Sequence, residues 1–320
     1  MDKVELFAPS VLGTCWYGKY HYMEPWVGCE HACPYCYARC RQAVNCSLKE
    51  HGNCFEQPKL IMPRPQLLET IEKSVNSGAI ERLKLCRYTD IFTPSFAADG
   101  LSAEIMQILA TSKLKRVIIT TKGVPSAAAL ETMAAHPQMF SYSVAVHPAA
   151  LLQNSPLTRF DEHLQSVAKR LDAAAYLQAH GVLTTVHFDP MVAGIDDNPQ
   201  ALAAMLSELK KRDLKRVMWS YLLLSPGIVA TMSQALGEEG WQKMQSDYDL
   251  LGARQILPHQ DDSISFALRE PVFLRSVETI YHALSEGGFE CVICSLKNVE
   301  TLRNLRKYPH AMFCNGKFYA

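Results

Sequence analysis

The sequence predicts an α/β fold built on a parallel sheet, and three observations carry that expectation. Strand-like runs alternate with amphipathic helical stretches, the mark of repeated βα units. The chain has 320 residues, enough for one large domain of barrel size with an appendage. No internal repeat, low-complexity tract or Pro/Gly/Ser-rich linker divides it.

The first strand is expected near 22–27, leading into a cysteine-rich loop. Apolar runs at 83–88, 116–121, 140–146, 182–188 and 216–223 supply five more. Helical stretches lie between them at 65–76, 102–112, 126–135, 157–180 and 198–211. The fourth carries Leu164, Val167, Ala168, Leu171, Ala174 and Ala175 at helical spacing and stops at Gly181. Six strands with crossover helices suit a partial (β/α)6 TIM-type barrel, in which ligands collect at the C-terminal strand ends. From Gly227 the pattern changes, with helical segments at 228–236, 240–251 and 271–287 before a last strand-like run at 289–294. The expected division is a core over 1–226 and a C-terminal extension over 227–320 that covers or flanks the barrel mouth.

Composition sets limits on function. The chain is 48% hydrophobic and 20% charged, as in globular proteins. No apolar stretch reaches the roughly 18 residues of a membrane span. The start, Met1-Asp2-Lys3-Val4-Glu5, has no basic region followed by an apolar run, so a cytoplasmic protein is expected. Lys+Arg and Asp+Glu both number 32, which argues against a nucleic-acid partner while leaving room for a local basic groove. Eleven cysteines in a reducing compartment point to metal and redox chemistry.

The most informative run is Gly28-Cys29-Glu30-His31-Ala32-Cys33-Pro34-Tyr35-Cys36-Tyr37, with Cys29, Cys33 and Cys36 at CxxxCxxC spacing. Three thiolates on one short loop can hold three irons of a 4Fe-4S cube and leave the fourth open. A structural zinc site with His31 as fourth ligand is the competing reading. A disulfide framework suits a small secreted domain, not a chain of this length.

With its surroundings, the cysteine run resembles the radical S-adenosylmethionine (radical SAM) superfamily. Cys33-Pro34-Tyr35-Cys36-Tyr37-Ala38-Arg39 is similar to the cluster loop of the spore photoproduct lyase and DNA repair photolyase-like group. The runs Leu85-Cys86-Arg87-Tyr88-Thr89-Asp90, Ile119-Thr120-Thr121-Lys122, Ser141-Tyr142-Ser143-Val144 and Val186-His187-Phe188-Asp189-Pro190 resemble its later strands in order. Gly194-Ile195-Asp196-Asp197-Asn198 continues the last of these. The resemblance implies a 4Fe-4S cluster on Cys29, Cys33 and Cys36 and S-adenosylmethionine beside it. It implies that Tyr37 lies by the adenosine, that Thr89, Lys122 and Ser143 contact the cosubstrate, and that Arg170 holds its carboxylate. It also implies a hydrogen-donor role for Cys86, with Tyr35 and Tyr37 as relay, although Cys86 is one residue farther from Thr89-Asp90 than in the lyase pattern. Buried cysteine is also a common core residue without chemistry.

Cys291, Cys294 and Cys314 form a second, sparser set that could hold an auxiliary iron–sulfur cluster or zinc, and Cys40, Cys46, His51 and Cys54 a looser one. The function expected is reductive cleavage of S-adenosylmethionine to a 5′-deoxyadenosyl radical that abstracts hydrogen from an organic substrate. Neutral charge favours a small metabolite or peptide as substrate, with a nucleic-acid base as the alternative. A reductant such as flavodoxin or ferredoxin is the implied partner. A non-catalytic iron–sulfur or zinc protein is the reading from a different class.

Overall fold

The computed structural model describes residues 3–10, 20–152, 155, 164–255, 264–294 and 314. The chain enters through β1 (Phe7–Pro9), β2 (His21–Met23) and β3 (Trp26–Val27). After the cysteine loop come a short 3-10 turn at Tyr37–Cys40, α1 (Gln42–His51), β4 (Lys59–Leu60) and α2 (Arg64–Asn76). The repeated units follow as β5 (Arg82–Leu85), α3 (Pro94–Ala98) and α4 (Leu101–Ala110), then β6 (Arg116–Thr121) and α5 (Ala127–Ala135). They continue through β7 (Phe140–Ala145), α6 (Val167–Ala179), β8 (Leu183–Met191), α7 (Pro199–Lys211) and β9 (Arg216–Tyr221). The remainder holds α8 (Val229–Ser246), β10 (Arg254–Gln255), β11 (Ile264–Ser265), α9 (Glu270–Glu286) and β12 (Glu290–Ile293).

One eight-stranded sheet runs β1-β2-β5-β6-β7-β8-β9-β12, parallel throughout except for β1, which pairs antiparallel with β2 at the edge. Its centre holds five of the expected strands and, as β2, the start of the sixth, whose end is instead β3, paired with β4 in a separate ladder; the sheet has the open form of a partial (β/α) barrel. The last strand, β12, joins beside β9 as a seventh parallel strand.

Local chemistry explains the helix starts. Ser126, Ser166 and Asn198 each accept a backbone N–H of the first turn, and Pro199 sits at the first helical position of α7. Because Ser166 caps it, α6 begins at Val167, ten residues later than expected from the apolar spacing; 157–163 lie outside the described residues. Gly237 has φ 72° and ψ 168°, so it breaks α8 into the two segments its sequence suggests.

The alternation of side chains along parallel strands divides the sheet into two faces. Leu83, Leu85, Val117, Ile119, Phe140, Tyr142, Val144, Val186, Phe188, Val217 and Trp219 belong to one core. Against them pack Leu67, Ile71, Ile105, Met106, Leu109, Leu171, Leu177, Met205 and Leu209 of the helices. Each such side chain taken out of water contributes roughly 1.5–3 kcal/mol. The alternate rows, Lys84, Thr120–Ser143–Thr185 and Ala145–His187–Met218, face the barrel interior instead. Polar residues on that inner face are what build the site. Among the described residues no helix is long and apolar enough to cross a membrane.

Candidate active site

The cysteine loop leaves β3 through Gly28, whose φ is 98°. A Cβ there would stand 2.6 Å from the Phe55 carbonyl oxygen, which also accepts the N–H of Cys29, so the turn requires glycine. Cys36 N–H donates to the Cys33 carbonyl over 3.1 Å, and Cys36 then caps the 3-10 turn that carries Tyr37. Glu30 ties the loop to the segment after β5: its backbone N–H donates to Thr93 Oγ1, and its carboxylate accepts from the Thr93 hydroxyl and the Ser95 N–H.

Cys29, Cys33 and Cys36 line one cavity of about 340 Å³ at the C-terminal ends of the strands. Cys86, Tyr35, Tyr37, Thr89 and Lys122 line it too, so the structure brings these eight expected site residues together. Cys86, just past the end of β5, lines the cavity together with Lys84, despite its one-residue offset from the lyase pattern. Ile264 and Ser265 of β11 complete part of the wall.

Two expected residues stand behind this lining. Ser143 is fully buried in the interior row beside Thr120, and its hydroxyl has no hydrogen-bond partner among the described residues. Arg170, on α6, is 1% exposed and donates from Nη1 to the Ala145 carbonyl over 2.9 Å. It therefore supports the end of β7, whose Ala145 lines the cavity.

Two carboxylates organise the strand ends: Glu24, which no motif marks, and Asp90, which the Thr89-Asp90 pair marks without assigning it a role. Glu24, just past β2, accepts the N–H of Arg87, the N–H of Tyr88 at 3.0 Å and the Thr89 hydroxyl at 3.1 Å. Burial pushes its pKa up to about 7, against the opposing pull of those donors. Asp90 accepts the Phe92 N–H at 2.9 Å, the Thr121 hydroxyl at 2.6 Å and the Lys122 N–H at 2.7 Å, with His31 Nε2 3.2 Å away. Burial raises its pKa, but His31 and these hydrogen bonds outweigh it and hold the carboxyl at about 2. Glu24 carried no motif, and His31, the candidate fourth zinc ligand in the cysteine run, instead faces Asp90.

The thiols sit in a water-poor environment. Burial first, then the neighbouring Asp90, Cys33 and Cys36, pushes the Cys29 thiol well above its usual range. Burial and Cys33 push Cys36 up to about 11, with Arg39 and Lys122 pulling the other way. Burial and Glu24 likewise keep Cys86 a protonated thiol. Three thiols on one cavity wall, Cys29 and Cys33 buried and Cys36 half-buried, fit a polynuclear iron–sulfur group, whose cationic irons take them as thiolates. Among the described residues no three His, Cys, Asp or Glu side chains close on a single-ion position. A cube does not ask for that, since each thiolate binds a different iron.

The second cysteine set lies elsewhere. Cys291 pairs in register with Val217 on β12, Cys294 N–H donates to the Trp219 carbonyl, and Cys314 N–H to the Ile293 carbonyl. None of the three lines the cavity, and residues 295–313 and 315–320 between and after them lie outside the described residues. Cys40 Sγ is 3.6 Å from Ser225 Oγ, Cys46 is half-buried and Cys54 exposed, and among the described residues the looser set forms no group that could hold a metal ion.

Tyr35 leads to two further residues. Its hydroxyl is 2.9 Å from His147 Nε2, and His147 Nδ1 is 3.1 Å from Asp196 Oδ2. Lys122 Nζ stands 5.4 Å from the centre of the Tyr35 ring. Tyr37, by contrast, is 44% exposed and donates its hydroxyl to the Arg87 carbonyl.

No protein-family model matches the chain, and no curated protein matches it. Solved structures do. Spore photoproduct lyase complexed with dinucleoside spore photoproduct is similar at a TM-score of 0.60 and 12% identity, over 85% of this chain and 75% of that one. A double mutant of that lyase with bound AdoMet and dinucleoside spore photoproduct is similar at a TM-score of 0.59 and 12% identity, over 86% and 76%. At this identity the likeness is one of fold.

Proposed function

We propose that the chain is a radical S-adenosylmethionine enzyme. The observation that carries this reading is the gathering of Cys29, Cys33 and Cys36 with Cys86, Thr89 and Lys122 on one cavity at the C-terminal strand ends. Cys29, Cys33 and Cys36 would hold a 4Fe-4S cluster, which would supply the electron for reductive cleavage of S-adenosylmethionine to a 5′-deoxyadenosyl radical. Lys122 offers a positive charge for the cosubstrate carboxylate, and Tyr37 a ring for its adenosine. Thr89 forms part of the same wall, held by Glu24. Cys86 keeps a hydrogen that it can return to a substrate radical. A one-electron reductant of the flavodoxin or ferredoxin class supplies the electrons, and a cytoplasmic setting suits such a protein.

The substrate is an organic molecule small enough to enter this cavity. A small metabolite or peptide agrees with the neutral charge of the whole chain. A modified nucleotide is supported by the lining itself, where Arg41, Lys84, Arg87 and Lys122 gather beside Tyr22, Tyr37 and Tyr88. The Arg87 guanidinium lies 4.6 Å from the Tyr88 ring centre, a pairing suited to a planar, anionic ligand.

Anaerobic reconstitution tests the proposal. Wild-type protein should bind about four irons with matching sulfide and release 5′-deoxyadenosine on reduction with S-adenosylmethionine. Replacing Cys29, Cys33 and Cys36 together with alanine should abolish both. Undiminished 5′-deoxyadenosine from the triple variant would remove the assignment.

A further inference from the structure

We infer that His147 and Asp196 are positioning residues for Tyr35, holding its hydroxyl as a donor toward a partner outside the cavity lining. Tyr35 stands between Cys33 and Cys36, lines the cavity with its ring and is 6% exposed. Its hydroxyl meets His147 Nε2 at 2.9 Å, and His147 is not part of that lining. Asp196 is fully buried and accepts two backbone N–H groups, from Ala149 at 3.1 Å and Val192 at 2.8 Å.

For a singly protonated His147 ring, these two bonds set the order of the chain. A carboxylate offers only acceptors, so His147 Nδ1, 3.1 Å from Asp196 Oδ2, carries the proton. In the neutral ring Nε2 is then an acceptor, and the Tyr35 O–H donates to it. The phenol proton is thereby committed to a buried histidine, whereas Tyr37 donates to a carbonyl of the cavity wall. The neighbouring Asp197 accepts from Tyr221 and Ser276 at 2.8 Å each, so the same turn anchors β9 and α9. A shift in that turn reaches the cysteine loop through two side chains.

The hydrogen-bond order stands independently of the proposed radical chemistry; its effect on turnover rests on that reading. Nitrogen-15 NMR of the full-length protein labelled at histidine reads the order directly, with the His147 resonances identified by their loss in His147→Gln. The expected result is a protonated Nδ1 and an unprotonated Nε2. Tyr35→Phe should move the Nε2 resonance, and Asp196→Asn should shift the tautomer. A protonated Nε2 in the wild type, or an Nε2 unmoved by Tyr35→Phe, overturns the inference. Turnover per bound cluster should fall about 10–100-fold in His147→Leu and recover in part in His147→Gln, whose amide oxygen still accepts the phenol. Equal losses in the two variants argue against positioning. Absence of 5′-deoxyadenosine in the wild type would instead remove the proposed function and leave the NMR result standing.

Discussion

Asp90 Oδ1 accepts the hydroxyl proton of Thr121 over 2.6 Å, which joins the loop after β5 to the end of β6. The same carboxylate takes the Lys122 N–H, so the lysine that faces the cavity is placed by a residue of the loop that follows the neighbouring strand. With His31 beside it, Asp90 also reaches the cysteine loop. One buried charge thus sets three parts of the site relative to one another.

That arrangement has a pH signature. The Asp90 carboxyl titrates at about 2 in the fold against an ordinary 3.8. A depressed carboxyl pKa contributes stability above the ordinary value, and the contribution is lost as pH falls through the folded one. Stability to urea should therefore drop by roughly 2 kcal/mol between about pH 4 and pH 2 on this account. Asp90→Asn should be less stable at neutral pH and lack that part of the acid slope. An identical slope in the variant would contradict it.

Glu24 carries the opposite sign. Its pKa is raised to about 7 from 4.5, chiefly by burial. The folded state then holds a proton that the unfolded chain releases, so stability falls as pH rises from about 4.5 to beyond 7. Glu24→Gln keeps an oxygen acceptor for Arg87 and Tyr88 without a charge to bury. Its stability advantage over wild type should grow from pH 5 to pH 8, toward roughly 3 kcal/mol at most. Chemical unfolding at the two pH values measures it.

Cys86 should behave as a hydrogen donor within the proposed reaction. A thiol hydrogen exchanges with solvent, so turnover in deuterated water should label the product. Cys86→Ala should still cleave S-adenosylmethionine but divert the substrate radical into side products. The same product at the same rate from the variant would make Cys86 a wall residue only.

Lys122 and Arg170 should separate in their effects. Lys122→Ala removes a charge that faces the cavity and should weaken cosubstrate binding about ten- to a hundredfold, the loss of one charge-assisted hydrogen bond. Arg170→Ala leaves the Ala145 carbonyl without that donor and opens a void in the core. It should cost roughly 2–4 kcal/mol of stability, read as a lower unfolding midpoint. Calorimetric binding and thermal unfolding of both variants check the division.

By itself the sequence determined the parallel α/β architecture and the cysteine loop, because both are written in local spacing. Period-two and period-3.6 apolar patterns mark strands and helices wherever a face is buried, and three thiols on one loop need no distant partner to be recognised. The start of α6 was less legible, since apolar residues continue before the Ser166 cap and only the cap geometry ends them. Tertiary structure alone decided which polar residues meet. Glu24 and Thr89, His31 and Asp90, and Tyr35, His147 and Asp196 come from segments far apart in the chain, and no spacing rule relates them. It also decided that Cys86 lines the cavity and that Arg170 retreats behind Ala145, because the path of the chain past a strand end and the packing of helices, not residue type, determine where a side chain goes.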